Sequence, residues 1–283
     1  MSVSVPSGYF PRLARFFGHI GSGWDRLGEQ AYFYVKTLRS TGDAVLHYRI
    51  ELIRAIAGMS LGTGALMLIG GTVVIVAFLT LFAGAVVAVQ GYTSLQDVGI
   101  EALTGFIAAF INTRLAAPLI ATVGLAATIG AGATAQIGAM RISEEVDALE
   151  VMGVRSIAYL ASTRVIAGVV VVIPLFCVAV LTSYWAARAT TVMYGQSSGV
   201  YDHYFNTFLN PTDVLWSLVV VVVSAVVVML VHTYYGYTAA GGPAGVGDAV
   251  GRAVRTSLVF AVFANLCVSL AIYGPTGNFH LSG

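Results

Sequence analysis

The sequence predicts an all-α protein that crosses a membrane several times. Hydrophobic residues make up 58% of the 283 residues, charged residues only 10%, and the mean hydropathy is +0.85. Soluble domains carry about 25% charged residues, so this composition lies outside theirs. The apolar residues are also gathered into runs of about 20, the length that a helix needs to cross a bilayer.

Five such runs predict five membrane-spanning helices, at residues 66–90, 115–139, 165–187, 214–236 and 256–274. The stretch 98–140 is too long for one simple span, and Arg114 and Pro118 lie near its middle. Residues 98–112 are therefore expected to be either an outer extension of the second helix or a re-entrant piece.

The basic residues predict which side of the membrane each end faces. They are concentrated before the first run, around residues 141–164, and before the last run. A single crossing by 98–140 places all of these on one side, which the positive-inside rule assigns to the cytoplasm. The N-terminus is then cytoplasmic, the C-terminus extracytoplasmic, and the outer loops hold only Arg188.

Two amphipathic segments precede the first run and predict interfacial helices that form an elbow on the cytoplasmic surface. The apolar stripe of the first comprises Trp24, Leu27, Ala31, Val35 and Leu38. That of the second comprises Leu46, Ile50, Ile53 and Ala57, and it leads into the first span at Gly58 and Gly62. We expect residues 1–62 to form a tail, weakly ordered over 1–20, with these elbow helices, and 63–283 to form one membrane domain.

A polar segment at 141–154 interrupts the apolar chain and predicts a short helix over 142–153. Ser143 is placed to cap its first turn and Gly153 to end it. An apolar stripe runs beside a strongly acidic face, and is formed by Ile142, Val146, Leu149 and Met152. Such a helix is typical of an element that fits a groove in a soluble partner.

The chain lacks the motifs that would make it an enzyme by itself. Lys36 is its only lysine and residues 30–35 contain no glycine, so no phosphate-binding G-x-x-x-x-G-K-[ST] loop is present. No H-E-x-x-H pair and no paired acids within the apolar runs occur. The net charge of +1 disfavours nucleic-acid binding. We expect no catalytic, cofactor or metal site.

Small residues recur at four-residue spacing within the second predicted span. They are Ala126, Gly130, Thr134 and Gly138. This spacing lets helix backbones approach closely. It indicates either packing within the chain or a sliding or dimer surface in a moving transporter.

Polar residues in or near the predicted spans have two explanations each. Arg114 could pair with Glu101 or face a lipid headgroup. His232 lies beside three tyrosines, which favours an aromatic belt at the inner interface over a functional role. Gln90 and Tyr92, near the outer end of the first span, would either form the polar rim of a lipid slot or anchor the helix end.

Taken in order, these features resemble the MlaE/YrbE permeases of lipid-transporting ABC systems that work with Mce-domain proteins. The motifs are Val89-Gln-Gly-Tyr92, Arg114 with Pro118, Gly130-Ala-Gly-Ala-Thr-Ala-Gln-Ile-Gly-Ala-Met140, Glu144-Glu-Val-Asp-Ala-Leu149 and Tyr235-Gly-Tyr237. The acidic motif after a glycine-rich helix is the most specific of them. The chain departs from the commonest pattern at Gln136, where an acidic residue is frequent, and in lacking an arginine before the glycine-rich run.

The resemblance implies a role for the polar segment and a set of partners. In that family the segment is the coupling helix that docks on the ATP-binding subunit, a role that carries over to Glu144, Glu145, Asp147, Ala148, Leu149 and Met152. Residues 202–209 and Ser282-Gly283 look most like the B-type YrbE subunit of an actinobacterial Mce system, in particular the sterol-importing one. This implies an A-type YrbE permease, two Mkl-type ATPase subunits that bind ATP and Mg, and Mce-domain proteins, in the plasma (inner) membrane.

The function expected from the resemblance is ATP-driven import of a hydrophobic lipid, a sterol such as cholesterol or else fatty or mycolic acids. The lipid would pass through an apolar slot between the first, second and fourth spans, lined by Ala83, Val86, Gln90 and Tyr92. One alternative is a noncatalytic scaffold that anchors extracellular lipid carriers. A second, a secondary transporter or intramembrane enzyme, is disfavoured by the shortage of acids and histidines in the spans.

Overall fold

A computed structural model describes residues 27–61 and 67–274, and within these ranges the chain is all-helical. The ten helices found there are α1 (27–39), α2 (Thr41–His47), α3 (Arg49–Leu61), α4 (Met67–Gln96), α5 (Glu101–Ile142), α6 (Glu145–Val151), α7 (Ile157–Met193), α8 (Ser198–Phe208), α9 (Pro211–Tyr237) and α10 (Gly242–Tyr273). Five of them, α4, α5, α7, α9 and α10, are long and apolar enough to cross a membrane, which confirms the predicted fold class. The predicted tail at 1–20, Trp24, Gly62 and Ser282-Gly283 lie outside the described residues.

Residues 101–140 of the stretch 98–140 belong to one long helix, α5, and residues 97–99 form a turn before it. An extension of the second helix is therefore confirmed, and the re-entrant alternative is wrong. The helix has 42 residues, or about 63 Å at 1.5 Å per residue. This is about twice the thickness of the hydrocarbon layer. Its hydrogen bonding widens to π-helical geometry at Asn112–Ala116 and Leu125–Gly130. Pro118 follows the first of these segments, where wider turns accommodate a residue without an N–H donor.

The spans are longer than the apolar runs that predicted them. The first reaches Gln96 rather than residue 90, and the third begins at Ile157 rather than 165. Helical hydrogen bonding continues through polar flanking residues, so hydropathy marks the centre of a span better than its ends.

Spans α4 and α7 approach each other closely where Gly84 faces Ser183. A Cβ atom on Gly84 would lie 2.4 Å from the carbonyl oxygen of Ser183, so only glycine fits there. Nearby, Thr80 Oγ1 and Thr182 Oγ1 are hydrogen-bonded at 2.6 Å. A small residue and paired hydroxyls thus join two spans, as is common between helices in lipid.

Spans α7 and α9 form the interior of the bundle, whereas α4 and α10 lie at its edge. In α7 and in α9, 50% of the most apolar 18-residue stretch is buried. The corresponding shares are 28% in α4 and 17% in α10. The large exposed apolar faces of the two edge helices must therefore meet lipid or another subunit.

Helix α1 packs on the bundle through a face that the sequence analysis did not identify. Phe33 and Thr37 are buried. The Phe33 ring lies 5.5 Å from that of Tyr234 and 5.4 Å from that of Tyr237, and Ser162 donates a hydrogen bond to the Thr37 carbonyl. The predicted stripe stays exposed at Leu27, Ala31, Val35 and Leu38. An exposed stripe on an anchored helix suits a membrane surface.

Candidate coupling and transport sites

Helix α6, the polar segment of the sequence, begins after a sharp reversal at Glu144. This residue has a backbone φ of 62°, which is unusual for a residue other than glycine. Gly153 ends the helix with a φ of 78°. The prediction that Ser143 caps α6 is wrong. Its hydroxyl donates back to the Ala139 carbonyl at 3.0 Å and to Glu145 Oε1 at 3.1 Å. Ser143 still follows the last turn of α5, so its hydroxyl reaches the carbonyl four residues earlier.

The predicted apolar stripe of α6 is divided between two directions. Val146 is fully buried against the bundle, Leu149 is half-buried, and Met152 is 69% exposed. Val151, which was not predicted, is 88% exposed. A single stripe facing a partner is therefore wrong: Val146 anchors the helix, and Val151 and Met152 protrude from its end.

The carboxylates predicted for coupling lie on the exposed surface of α6. Glu144, Glu145 and Asp147 are exposed, as is Ala148. Asp147 forms an ion pair with Arg141 at the end of α5. Exposed acids beside protruding apolar side chains can bind a second protein through both charge and apolar contact.

Glu150, which the sequence analysis did not single out, ties α6 to two spans. Its Oε1 accepts hydrogen bonds from Ser156 Oγ at 2.5 Å and Tyr237 OH at 3.0 Å. These bonds, that from Ser156 above all, hold the pKa of Glu150 below its usual range. Because Tyr237 lies 87 residues further along the chain, no local pattern reveals this contact.

Arg114 pairs with Asp213 rather than with Glu101, so that prediction is wrong. Arg114 Nη2 lies 2.7 Å from Asp213 Oδ2, at the start of α9. The guanidinium also lies over the rings of Phe110 and Tyr273, at 4.5 and 4.4 Å from their centroids. Glu101 lies thirteen residues earlier in the same helix, about 20 Å away along the axis, and is out of reach.

His232 is fully buried, and its assignment to an aromatic belt is wrong. Its Nδ1 lies 2.7 Å from Thr134 Oγ1, and its Nε2 lies 3.0 Å from Ser257 Oγ. The ring therefore connects α9 with α5 and α10. Helix α9 continues to Tyr237, so His232 lies more than one turn inside the helix end.

The small residues of α5 lie against neighbouring helices of the same chain. A Cβ on Gly130 would lie 2.5 Å from His232 Cδ2, and one on Gly138 would lie 3.0 Å from Val246 Cγ1. Thr134 bonds to His232, and Ala126 is buried. This arrangement favours packing within the chain over a dimer surface for the stripe.

The residues predicted for the lipid slot do not share one face of α4. Val86 and Gln90 are exposed and Ala83 is half-buried, whereas Tyr92 is buried and lies 5.7 Å from the Tyr194 ring. Tyr92 follows Gln90 by two residues, or about 200° around the helix. The structure therefore groups Ala83, Val86 and Gln90 on one face of α4, whereas Tyr92 packs inside the chain.

Helix α8 is attached to α7 by an ion pair that acid should weaken. Arg188 Nε and Nη2 donate to the two carboxylate oxygens of Asp202 at 2.7 and 2.8 Å. These hydrogen bonds and the charge of Arg188 hold the pKa of Asp202 below its usual range. The stabilisation is therefore present above the unfolded-state pKa of about 3.9 and is lost as the pH falls through the lower folded-state pKa.

We expect Asp202→Asn to mimic this loss at neutral pH. Amide hydrogen exchange of α8, corrected for intrinsic rates, should become faster in the variant than in the unsubstituted protein. Asp97→Asn is the matched control, because Asp97 is exposed and forms no ion pair among the described residues. Unchanged exchange in α8 of the Asp202 variant would show that the pair does not hold this helix.

The fold and the sites define a class of protein: an integral membrane subunit whose short exposed helix, between its second and third spans, offers an attachment surface. Residues 62–271 match the family model described as Permease MlaE, and the chain belongs to this family of ABC transporter permeases. It is the noncatalytic transmembrane component of such a transporter, which implies an ATPase partner.

Relatives from bacteria and a plant support the assignment. The chain is 32% identical over 204 residues to a "Probable ABC transporter permease protein" of Rickettsia bellii (strain RML369-C), covering 69% of this chain and 76% of that protein. A protein of the same description from Rickettsia felis (strain ATCC VR-1525 / URRWXCal2) is 31% identical over 229 residues. The aligned part covers 77% of this chain and 85% of that protein. The protein TRIGALACTOSYLDIACYLGLYCEROL 1, chloroplastic, of Arabidopsis thaliana is 27% identical over 199 residues, 70% of this chain and 57% of its own.

Proposed function

We propose that this chain is one permease half of an ATP-driven importer of hydrophobic lipid in the plasma (inner) membrane, with α6 as its coupling helix. The observation that carries the proposal is α6 itself, exposed on its acidic side and attached to span ends on the other. Its partners would be an A-type YrbE permease, two Mkl-type ATPase subunits that bind ATP and Mg, and Mce-domain proteins.

The coupling surface combines charge with protruding apolar groups. It comprises Glu144, Glu145, Asp147, Ala148 and Met152, with the half-buried Leu149 beneath. Buried Val146 attaches this surface to the bundle. A force applied by a partner to the exposed residues is thereby passed to the spans.

The distribution of basic residues supports a cytoplasmic position for α6 and the N-terminal helices. Arg155 of the α6–α7 connection pairs with Asp43 in α2, so α6 and the elbow helices lie at the same end. Arg114 and Arg188, towards the other end, are each paired with an aspartate. Among the described residues, most lysine and arginine side chains lie at the α6 end, which agrees with the positive-inside rule. The chain would then end outside the cytoplasm.

The exposed face of α4 supports an apolar slot completed by the sister permease. Ala83, Val86 and Gln90 lie on this face. A sterol that buries about 400 Å² of apolar surface there gains about 10 kcal/mol relative to water. Its release therefore requires a change in the shape of the slot, and ATP hydrolysis by the partner can supply it.

Reconstituted transport tests the proposal. The complex purified through a tag on this chain is placed in liposomes, and ATP-dependent uptake of labelled cholesterol is measured, together with mass spectrometry of copurified lipid. Val86→Trp is expected to reduce uptake several-fold with the complex intact. Val259→Trp is the control, since Val259 is similarly exposed but lies on α10.

The alternatives give different results in the same experiment. A scaffold that only anchors lipid carriers shows no ATP-dependent uptake, and Val86→Trp changes nothing. Fatty or mycolic acids in place of a sterol in the purified complex would contradict the sterol part of the proposal.

A further inference from the structure

Glu150 joins the exposed helix α6 to the residue before α7 and to the end of α9, which is distant in sequence. One of its carboxylate oxygens, Oε1, accepts hydrogen bonds from Ser156, directly before α7, and from Tyr237, the last residue of α9. We infer that Glu150 is a positioning residue that transmits movement of α6 to the fourth span, α9. The inference rests on the proposed role of α6 as the coupling helix.

The chain connects α6 directly to α5 and to α7, but not to α9. Movement of α6 reaches the second and third spans through the backbone itself. The hydrogen bond between Glu150 and Tyr237 provides a route to α9. A side chain that is exposed to a partner at one end of the bundle thereby holds the end of one of its most buried spans.

The hydroxyl of Tyr237 is held in position by its surroundings. The ring packs at 5.4 Å from that of Phe33 in α1, and the Arg141 guanidinium lies 5.9 Å from its centroid. Tyr237 OH also lies 2.9 Å from Ser156 Oγ. Contacts on several sides restrict the ring, so a shift of Glu150 displaces the helix end rather than only turning a side chain.

A displacement of this helix end reaches other spans through His232. This residue precedes Tyr237 on α9 by more than one turn, and its ring nitrogens contact Thr134 in α5 and Ser257 in α10. All three side chains are fully buried. Because an unpaired polar group is costly there, α5 and α10 are expected to follow α9.

A fluorescent reporter on α9 tests the inference in the full complex. Cys177 and Cys267, both exposed, are replaced by alanine, and Leu215→Cys introduces one labelling site near the opposite end of α9, where the side chain is 64% exposed. The emission change on addition of ATP and vanadate is measured with the copurified ATPase present. Glu150→Ala and Tyr237→Phe are each expected to reduce this change several-fold, and the double variant to reduce it no further.

The neighbouring tyrosine offers a matched control. Tyr235 lies at the same helix end, but its hydroxyl is 3.3 Å from Thr256 in α10. Tyr235→Phe should leave the emission change intact. A change of full size in the double variant would overturn the inference, and so would the absence of any nucleotide-dependent change in the complex without the Glu150 and Tyr237 substitutions.

Cholesterol uptake by the same complex separates this inference from the proposed function. If the complex takes up no cholesterol, but its reporter responds to nucleotide and the Glu150 variant loses that response, lipid import is contradicted. The connection from Glu150 to α9 is then supported. If the complex takes up cholesterol and the Glu150 variant keeps the full emission change, lipid import is supported. The connection from Glu150 to α9 is then contradicted. Thermal unfolding of each variant shows whether it remains folded.

Discussion

Substitution of Gly84 by alanine is expected to lower the melting temperature of the purified chain and to reduce the yield of the assembled complex. The new Cβ would lie 2.4 Å from the carbonyl oxygen and 2.9 Å from the Cα of Ser183. Both are backbone atoms, so no side-chain rotation relieves the contact and α4 must move away from α7. Overpacking of this kind costs about 1–3 kcal/mol and sometimes more. The hydrogen bond between Thr80 and Thr182 would weaken as well.

Two further glycines make the comparison specific. Gly71→Ala in the same helix is expected to have little effect, because its new Cβ would meet no heavy atom of the neighbouring described helices within 4 Å. Gly168→Ala should have an intermediate effect, because its Cβ meets the flexible side chain of Met229 at 2.5 Å. If the Gly84 and Gly71 variants had the same melting temperature, the close approach of α4 and α7 would be refuted.

Replacement of Glu145 and Asp147 together by alanine is expected to bring lipid uptake close to background while ATP hydrolysis continues. Both carboxylates are exposed, and their partners, Ser143 and Arg141, lie at the end of α5. The double variant should therefore fold, and the complex should remain detectable. Uptake should be lost because closure of the ATPase moves the spans only through contacts that both proteins hold.

The measurement compares uptake and ATP hydrolysis in the same liposomes. Asp97→Ala serves as the control, since this exposed acid lies just after α4, far along the chain from α6. Wild-type uptake by the double variant would exclude these two residues from coupling. Loss of assembly would instead assign them to attachment of the partner.

The spans and the polar helix were accessible to prediction because each depends on local composition. Hydrocarbon excludes unpaired backbone groups, so a long apolar run in lipid must be helical. The acids of 144–147 interrupt such runs, which predicts an exposed helix between two spans. Glu144 and Gly153, with positive φ, set its ends.

The rotation of each span about its axis was not accessible. Lipid and the protein interior both accept apolar side chains. The sequence of α4 therefore does not show that the face with Val86 is exposed and that the face with Gly84 packs on α7. Helix geometry turns Tyr92 about 200° from Gln90, but the sequence does not show which of the two faces the bundle. An evenly apolar helix lacks the two-sided pattern from which burial is predicted.

By itself, the sequence determined that this protein is helical, that it has five segments long and apolar enough to cross a membrane, and that a short acidic helix is exposed between the second and third of them. Only the tertiary structure decided the partners of the polar side chains: Asp213 for Arg114, 99 residues away, Thr134 for His232, 98 residues away, and Tyr237 for Glu150. Composition acts over one helix, whereas a hydrogen bond requires two atoms within about 3 Å, and only packing brings distant helices that close.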